Sequence, residues 1–213
     1  MQHRWKLTGG LAASLGLALT GVMCSAGPAS ADTATKTLDY ICRTRVDGNW
    51  IPVPYSRDFT TTAPAKVTPG QTFKVTFDSA PINAVADFNK LLNNVSFAYR
   101  TPANAEVVGY RLVGGSNLGS ARQWVERDGD TFKVKSDGEW AGGVEFDFPN
   151  LEVTLKAPST NGATLTTGAG GTSFEDTSFG WTRLQTQLNT WDPFQCYADP
   201  AKPVAFSTTQ VGS

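Results

Sequence analysis

Paired turn residues cut this chain into short pieces. Asp47-Gly48, Pro69-Gly70, Gly114-Gly115, Asp128-Gly129, Asp137-Gly138, Pro149-Asn150, Asn161-Gly162 and Gly170-Gly171 fall between runs rich in Val, Thr, Phe and Tyr, at spacings that shorten to about eight to twelve residues. That punctuation predicts an all-β sandwich or barrel. Within the runs the side chains alternate. Phe73, Val75 and Phe77 share one face of a strand whose other face carries Thr72, Lys74 and Thr76, and Val95, Phe97 and Tyr99 repeat the pattern. Between them, Ile82, Val85, Phe88 and Leu92 follow Pro81 at mostly helical spacing, which predicts one short helix over residues 81–92. From Trp181 to Trp191 both periods fit, and the Thr content favours a strand. The Thr/Pro segment from Thr60 to Pro69 reads as an exposed connection or edge.

The first 31 residues read as a leader. His3, Arg4 and Lys6 precede an apolar Leu7–Val22 stretch, and Ala29-Ser30-Ala31 offers small residues for cleavage before Asp32. Glycines at positions 9, 10, 16 and 21 interrupt the stretch, and it is short for a membrane span. The expected product is residues 32–213, a single exported β-sandwich domain with no membrane span, in the cell envelope or the medium. That product contains neither His nor Met and keeps two cysteines, Cys42 and Cys196. In an oxidising compartment two such thiols pair, closing a loop of about 154 residues.

Removing the leader also removes chemistry. Without His there is no Ser-His-Asp or Cys-His pair and no imidazole for a transition metal, and a bridged cystine offers no thiolate. Carboxylates, Ser-Lys pairs, Tyr and calcium held by oxygens remain. A formal net charge of −1 supplies no field for nucleic acid.

The segments Leu38-Asp39-Tyr40-Ile41-Cys42, Pro64-Ala65-Lys66-Val67-Thr68-Pro69-Gly70-Gln71 and Phe194-Gln195-Cys196-Tyr197-Ala198-Asp199-Pro200, with a final strand near Val204, resemble a family of secreted, Ig-like β-sandwich proteins of unknown function from actinobacteria. The resemblance implies a bridged antiparallel sandwich and residence outside the cytoplasm, and it transfers no catalytic residue. The helix candidate and the Trp-rich loops are departures from the pattern.

Two places could bind something. If Pro149-Asn150 is a two-residue turn, Val144–Leu155 is a hairpin that gathers Glu145, Asp147 and Glu152 on one face, with Asp147 opposite Glu152. A calcium ion, Lys156 or a neighbouring Arg would relieve that repulsion; a solvated acidic face is the plainer reading. In the hairpin around Asp128-Gly129, Trp124 lands opposite the buried face, beside Glu126, Thr131, Lys133 and Lys135. With Trp140 at a rim, this could stack on a sugar, or Trp124 could be covered and capped by Lys133. The expectation is a non-catalytic exported protein of binding or structural type, whose partner is a cell-wall glycan or another envelope component and which needs no cofactor. The alternatives are a carbohydrate-binding module built on exposed Trp and a His-free hydrolase or lyase built on carboxylates.

Overall fold

Asp47 and Gly48 take positive φ of 49° and 76° and close a two-residue turn between β1 (Ala31–Val46) and β2 (Asn49–Pro64). Two left-handed residues are what the twist-matched type I′ hairpin requires, and Asp-Gly is among the pairs that provide them. The result is a 16-residue ladder running from Val46↔Asn49 to Ala31↔Pro64. A computed structural model describes residues 31–212; the leader, with Cys24 and the expected cleavage site up to Ser30, lies outside them.

The remaining strands are β3 (Lys66–Val67), β4 (Thr72–Ser79), β5 (Leu91–Arg100), β6 (Glu106–Val113), β7 (Gln123–Asp128), β8 (Thr131–Ser136), β9 (Trp140–Ala141), β10 (Asn150–Lys156), β11 (Thr164–Ala169), β12 (Phe179–Leu184), β13 (Trp191–Ala198) and β14 (Ser207–Val211). They join in the order β3-β14-β11-β5-β12-β13-β1-β2-β4-β10-β6, with β8 paired to β5 and β7. All pairings are antiparallel except β14 with β3. The long hairpin serves both layers. Residues 40–44 of β1 pair with β13, while residues 59–62 of β2 pair with β4. Inward residues of the two layers therefore pack on one another: Phe77 of β4 stacks on Tyr99 of β5 at 4.9 Å, Phe59 of β2 is edge-on to Phe97 of β5 at 6.3 Å, and Tyr110 of β6 is edge-on to Phe132 of β8 at 5.3 Å. Phe77, Phe97, Phe132, Phe179, Leu151 and Leu155 are fully buried between the layers.

The expected alternation on β4 and β5 is present: Phe73, Val75, Phe77, Val95, Phe97 and Tyr99 are all buried. Cys42 and Cys196 face each other across β1 and β13, with Cα atoms 4.1 Å apart, and are bridged. The bridge joins the first strand to the penultimate one, because β14 follows.

Four expectations are corrected. Residues 81–92 form no helix. Ile82 is held in a bridge with Phe146, one turn closes from Val85 to Asn89, and Leu91 and Leu92 already belong to β5. One turn between two strand contacts cannot repay helix nucleation. Second, Val144–Leu155 is not a hairpin: β10 begins at Asn150 and pairs with β4 and β6, while Asp147 bridges Ser116. Pro149-Asn150 is a poor fit to a primed turn, so the sheet took Leu151–Leu155 elsewhere. Third, the Thr60–Pro69 segment is an edge only in its second half: Thr60–Pro64 is the end of β2, with Thr61 and Ala63 buried, while β3 is the outermost strand in the order. Fourth, Trp181–Trp191 is a strand only to Leu184; a turn with Asn189 at φ 54° then starts β13.

Candidate functional site

The layer holding β2, β1, β13 and β12 is wider than the layer that packs on it. Along the register, Val53 of β2, Thr44 of β1, Phe194 of β13 and Trp181 and Arg183 of β12 point to the inner side, beyond the reach of β4. The connection from Ile82 to Asn89 arches over this end instead, leaving an apolar cavity of about 370 Å³ beneath it. Trp181 stacks on Phe194 at 4.5 Å, and Tyr55 meets Phe194 edge-on at 5.6 Å, forming an aromatic floor. Val85 and Phe88 form the lip and are more than half exposed, at 56% and 59%.

Backbone bonds hold the arch. Ile82 exchanges two of them with Phe146, at 2.8 and 3.0 Å, and the Gly143 N–H donates to the Ala84 carbonyl at 2.7 Å. Gly142 passes so close to Asn89 that a Cβ there would lie 1.7 Å from the Asn89 carbonyl oxygen. The Thr186 hydroxyl donates to the Ala86 carbonyl at 2.6 Å.

Arg183 is the charged member of the lining and is itself only 8% exposed. Its Nη1 donates to the Phe88 carbonyl at 3.3 Å and its Nη2 to the Arg45 carbonyl at 3.2 Å, while Nε has no partner. Among the described residues it forms no ion pair. Asp192, opposite it on β13, accepts from Gln185 Nε2 at 2.6 Å and from the Thr190 hydroxyl at 2.8 Å. Burial holds the guanidinium below its ordinary value, and the Asp192 charge opposes that shift.

The residues singled out from sequence sit elsewhere. Trp140 is buried and stacked on Phe146 at 4.4 Å, with Nε1 donating to the Asn117 carbonyl, so it is core and not rim. Trp124 is half-buried on the face foreseen for it. The hairpin turn, however, is Gly129-Asp130, one residue later, because Gly129 takes the positive φ favoured at the first position of a type II′ turn. Trp124 donates to Glu126 at 3.2 Å, and Arg122 and Lys135 lie over its ring at 4.8 and 5.6 Å. Lys133 turns instead to Asp176, at 3.4 Å.

The three acidic residues are not assembled. Glu152 is ion-paired with Arg111 and reaches Lys74 at 3.9 Å, and its hydrogen bond from Arg111 holds its carboxyl below the usual range. Asp147 lies partly buried behind it in sequence but on a different ladder, and Glu145 is exposed. Among the described residues no group of three or more His, Cys, Asp or Glu is placed to hold a metal ion. The cavity was missed from sequence because its walls read as ordinary inward-facing strand residues; the one available signal was Arg183, a charge at an inward position between Trp181 and Leu184.

No protein-family model matches the chain, and no curated protein matches it in sequence. Among solved structures it is similar to a "putative membrane anchored protein" from Corynebacterium diphtheriae, with a TM-score of 0.51 and 15% identity over 84% of this chain. The chain spans 37% of that protein's length. Weaker likenesses are to a cohesin module of a Clostridium perfringens family 33 glycoside hydrolase (TM-score 0.37, 10% identity, 73% of this chain and 96% of that one) and to a type III cohesin module of the Ruminococcus flavefaciens ScaE cell-surface anchoring scaffoldin (TM-score 0.41, 11% identity, 70% and 83%). The corynebacterial likeness bears on the fold alone.

Proposed function

We propose that this chain is an exported, non-catalytic β-sandwich of Ig-like kind, resident in the cell envelope or the medium, whose work is to bind an apolar ligand at the open end of its wider layer. The observation that carries the reading is the cavity under the Ile82–Asn89 arch. Trp181 and Phe194, buried themselves, form the aromatic floor of a cavity whose lip, Phe88 and Val85, is more than half exposed. Its volume of about 370 Å³ lies in the range of small-molecule sites. Export is supported by the leader motif and by the bridged pair, which an oxidising compartment maintains. Envelope residence is in keeping with the corynebacterial protein of similar fold, which is described as membrane anchored. Among the described residues no helix is long and apolar enough to cross a membrane.

The test is titration of the exported protein, expressed with its own leader, with the neutral apolar dye N-phenyl-1-naphthylamine. Saturable fluorescence enhancement with one site per chain is expected, and its affinity should fall in Val53→Trp, whose indole narrows the cavity from the β2 wall. Absence of saturable binding overturns the reading, and so does an affinity unchanged in Val53→Trp.

A further inference from the structure

Arg183 is a poor choice for a cavity meant only for hydrocarbon. A buried cation is costly unless its hydrogen bonds are answered and its charge is balanced. Here two of five N–H donors meet backbone carbonyls and Nε meets nothing, while the facing Asp192 balances the charge only from a distance, its Oδ2 accepting from Gln185 and Thr190 and neither oxygen ion-paired with Arg183. The remaining wall is uncharged and mostly apolar, with Thr44, Asn83 and Asn89 among its polar members. A molecule that matches both halves has a hydrocarbon tail and a head that accepts bonds from a guanidinium, for which a carboxylate is the best geometric fit.

Resting on the binding role proposed above, we infer that the cavity receives a single-chain anionic amphiphile of the fatty-acid class, its tail on the Trp181-Phe194 floor and its carboxylate at Arg183. The length follows from the volume. With a methylene taken as close to the roughly 30 Å³ that a water molecule occupies in the liquid, about 370 Å³ holds about a dozen carbons. Longer chains would leave through the lip between Val85 and Phe88.

Competition against N-phenyl-1-naphthylamine tests this with dodecanoate, 1-dodecanol and dodecyltrimethylammonium. Dodecanoate is expected to displace the dye at a concentration at least about tenfold lower than the other two, as a charge-assisted bond to a buried guanidinium implies. Across the carboxylates from C6 to C16, affinity should rise about fourfold per carbon, the equivalent of one buried methylene, and level off near C12. In Arg183→Gln the preference for dodecanoate over dodecanol should vanish while dye binding persists. Because that variant could fail to fold, Asp192→Asn provides a second test: removal of the opposing charge should strengthen dodecanoate severalfold and leave dodecanol unchanged. Equal displacement by the acid and the alcohol, a preference for the ammonium, or no gain in Asp192→Asn overturns the inference while leaving the apolar site standing. Failure of the dye itself to bind removes the site altogether.

Discussion

Individual side chains divide into those whose surroundings set their protonation and those that only fill space. Asp147 belongs to the first group. Burial raises its carboxyl above the usual range, as do the charges of Asp78 and Glu145, and Arg57 works against them. Its Oδ1 is buried without a partner, while the Phe148 N–H donates to the carboxyl. A carboxyl whose folded value exceeds its unfolded value keeps its proton to higher pH in the native state, so stability falls as pH rises through that window. Asp147→Asn removes the cost. We expect the melting temperature of this variant to exceed the parent's at pH 7 and the two to coincide near pH 3, as followed by circular dichroism. Glu152 is the opposite case: Arg111 holds its folded value below its unfolded one, so the pair supports the fold at pH above the unfolded value and that support is lost as acid is added. Such surface pairs contribute about 0–1 kcal/mol, so Glu152→Gln should cost no more than that in urea unfolding at pH 7. Phe77→Ala, which empties a fully buried position stacked on Tyr99, should cost about 3–5 kcal/mol.

Among the elements, β4 and β5 were legible because Phe73, Val75, Phe77 and Val95, Phe97, Tyr99 each alternate cleanly, and a one-residue slip would turn every one of them outward. Residues 81–92 were not. Their helical spacing is a local preference, and the bridge of Ile82 to Phe146 comes from a segment more than sixty residues away along the chain. The same holds for Val144–Leu155, whose apparent hairpin lost to two longer-range ladders. The arch over the cavity depends on one close approach. Gly142→Ala would place a methyl 1.7 Å from the Asn89 carbonyl oxygen, with backbone on both sides of the contact. We expect it to displace the Ala84–Lys90 connection, lower the melting temperature and raise amide exchange at Asn89 and Gly143, measured by hydrogen exchange. Gly129→Ala strains only a solvent-facing hairpin turn and should leave the arch unaffected.

At the scale of the whole molecule, the Cys42–Cys196 bridge closes a loop of 154 residues, worth about 5 kcal/mol in the chain-entropy treatment. Reduction, or Cys42→Ala with Cys196→Ala, should lower the unfolding free energy obtained from urea titration by an amount of that order. Intact mass under non-reducing conditions should be two hydrogen atoms short of the reduced form. N-terminal sequencing of the exported product should begin at Asp32; that position is the second residue of β1, so cleavage there forfeits a single rung of the ladder with Pro64. The strand class, the inward faces of β4 and β5 and the partnership of the two cysteines could be read from sequence, because alternation, turn chemistry and redox supply are local or compositional properties. The neighbour of each strand, the fate of Glu145, Asp147 and Glu152, and the cavity beside Arg183 were decided only on folding. They depend on which layer is wider than the one covering it, and that is a difference between pairings far apart in the chain.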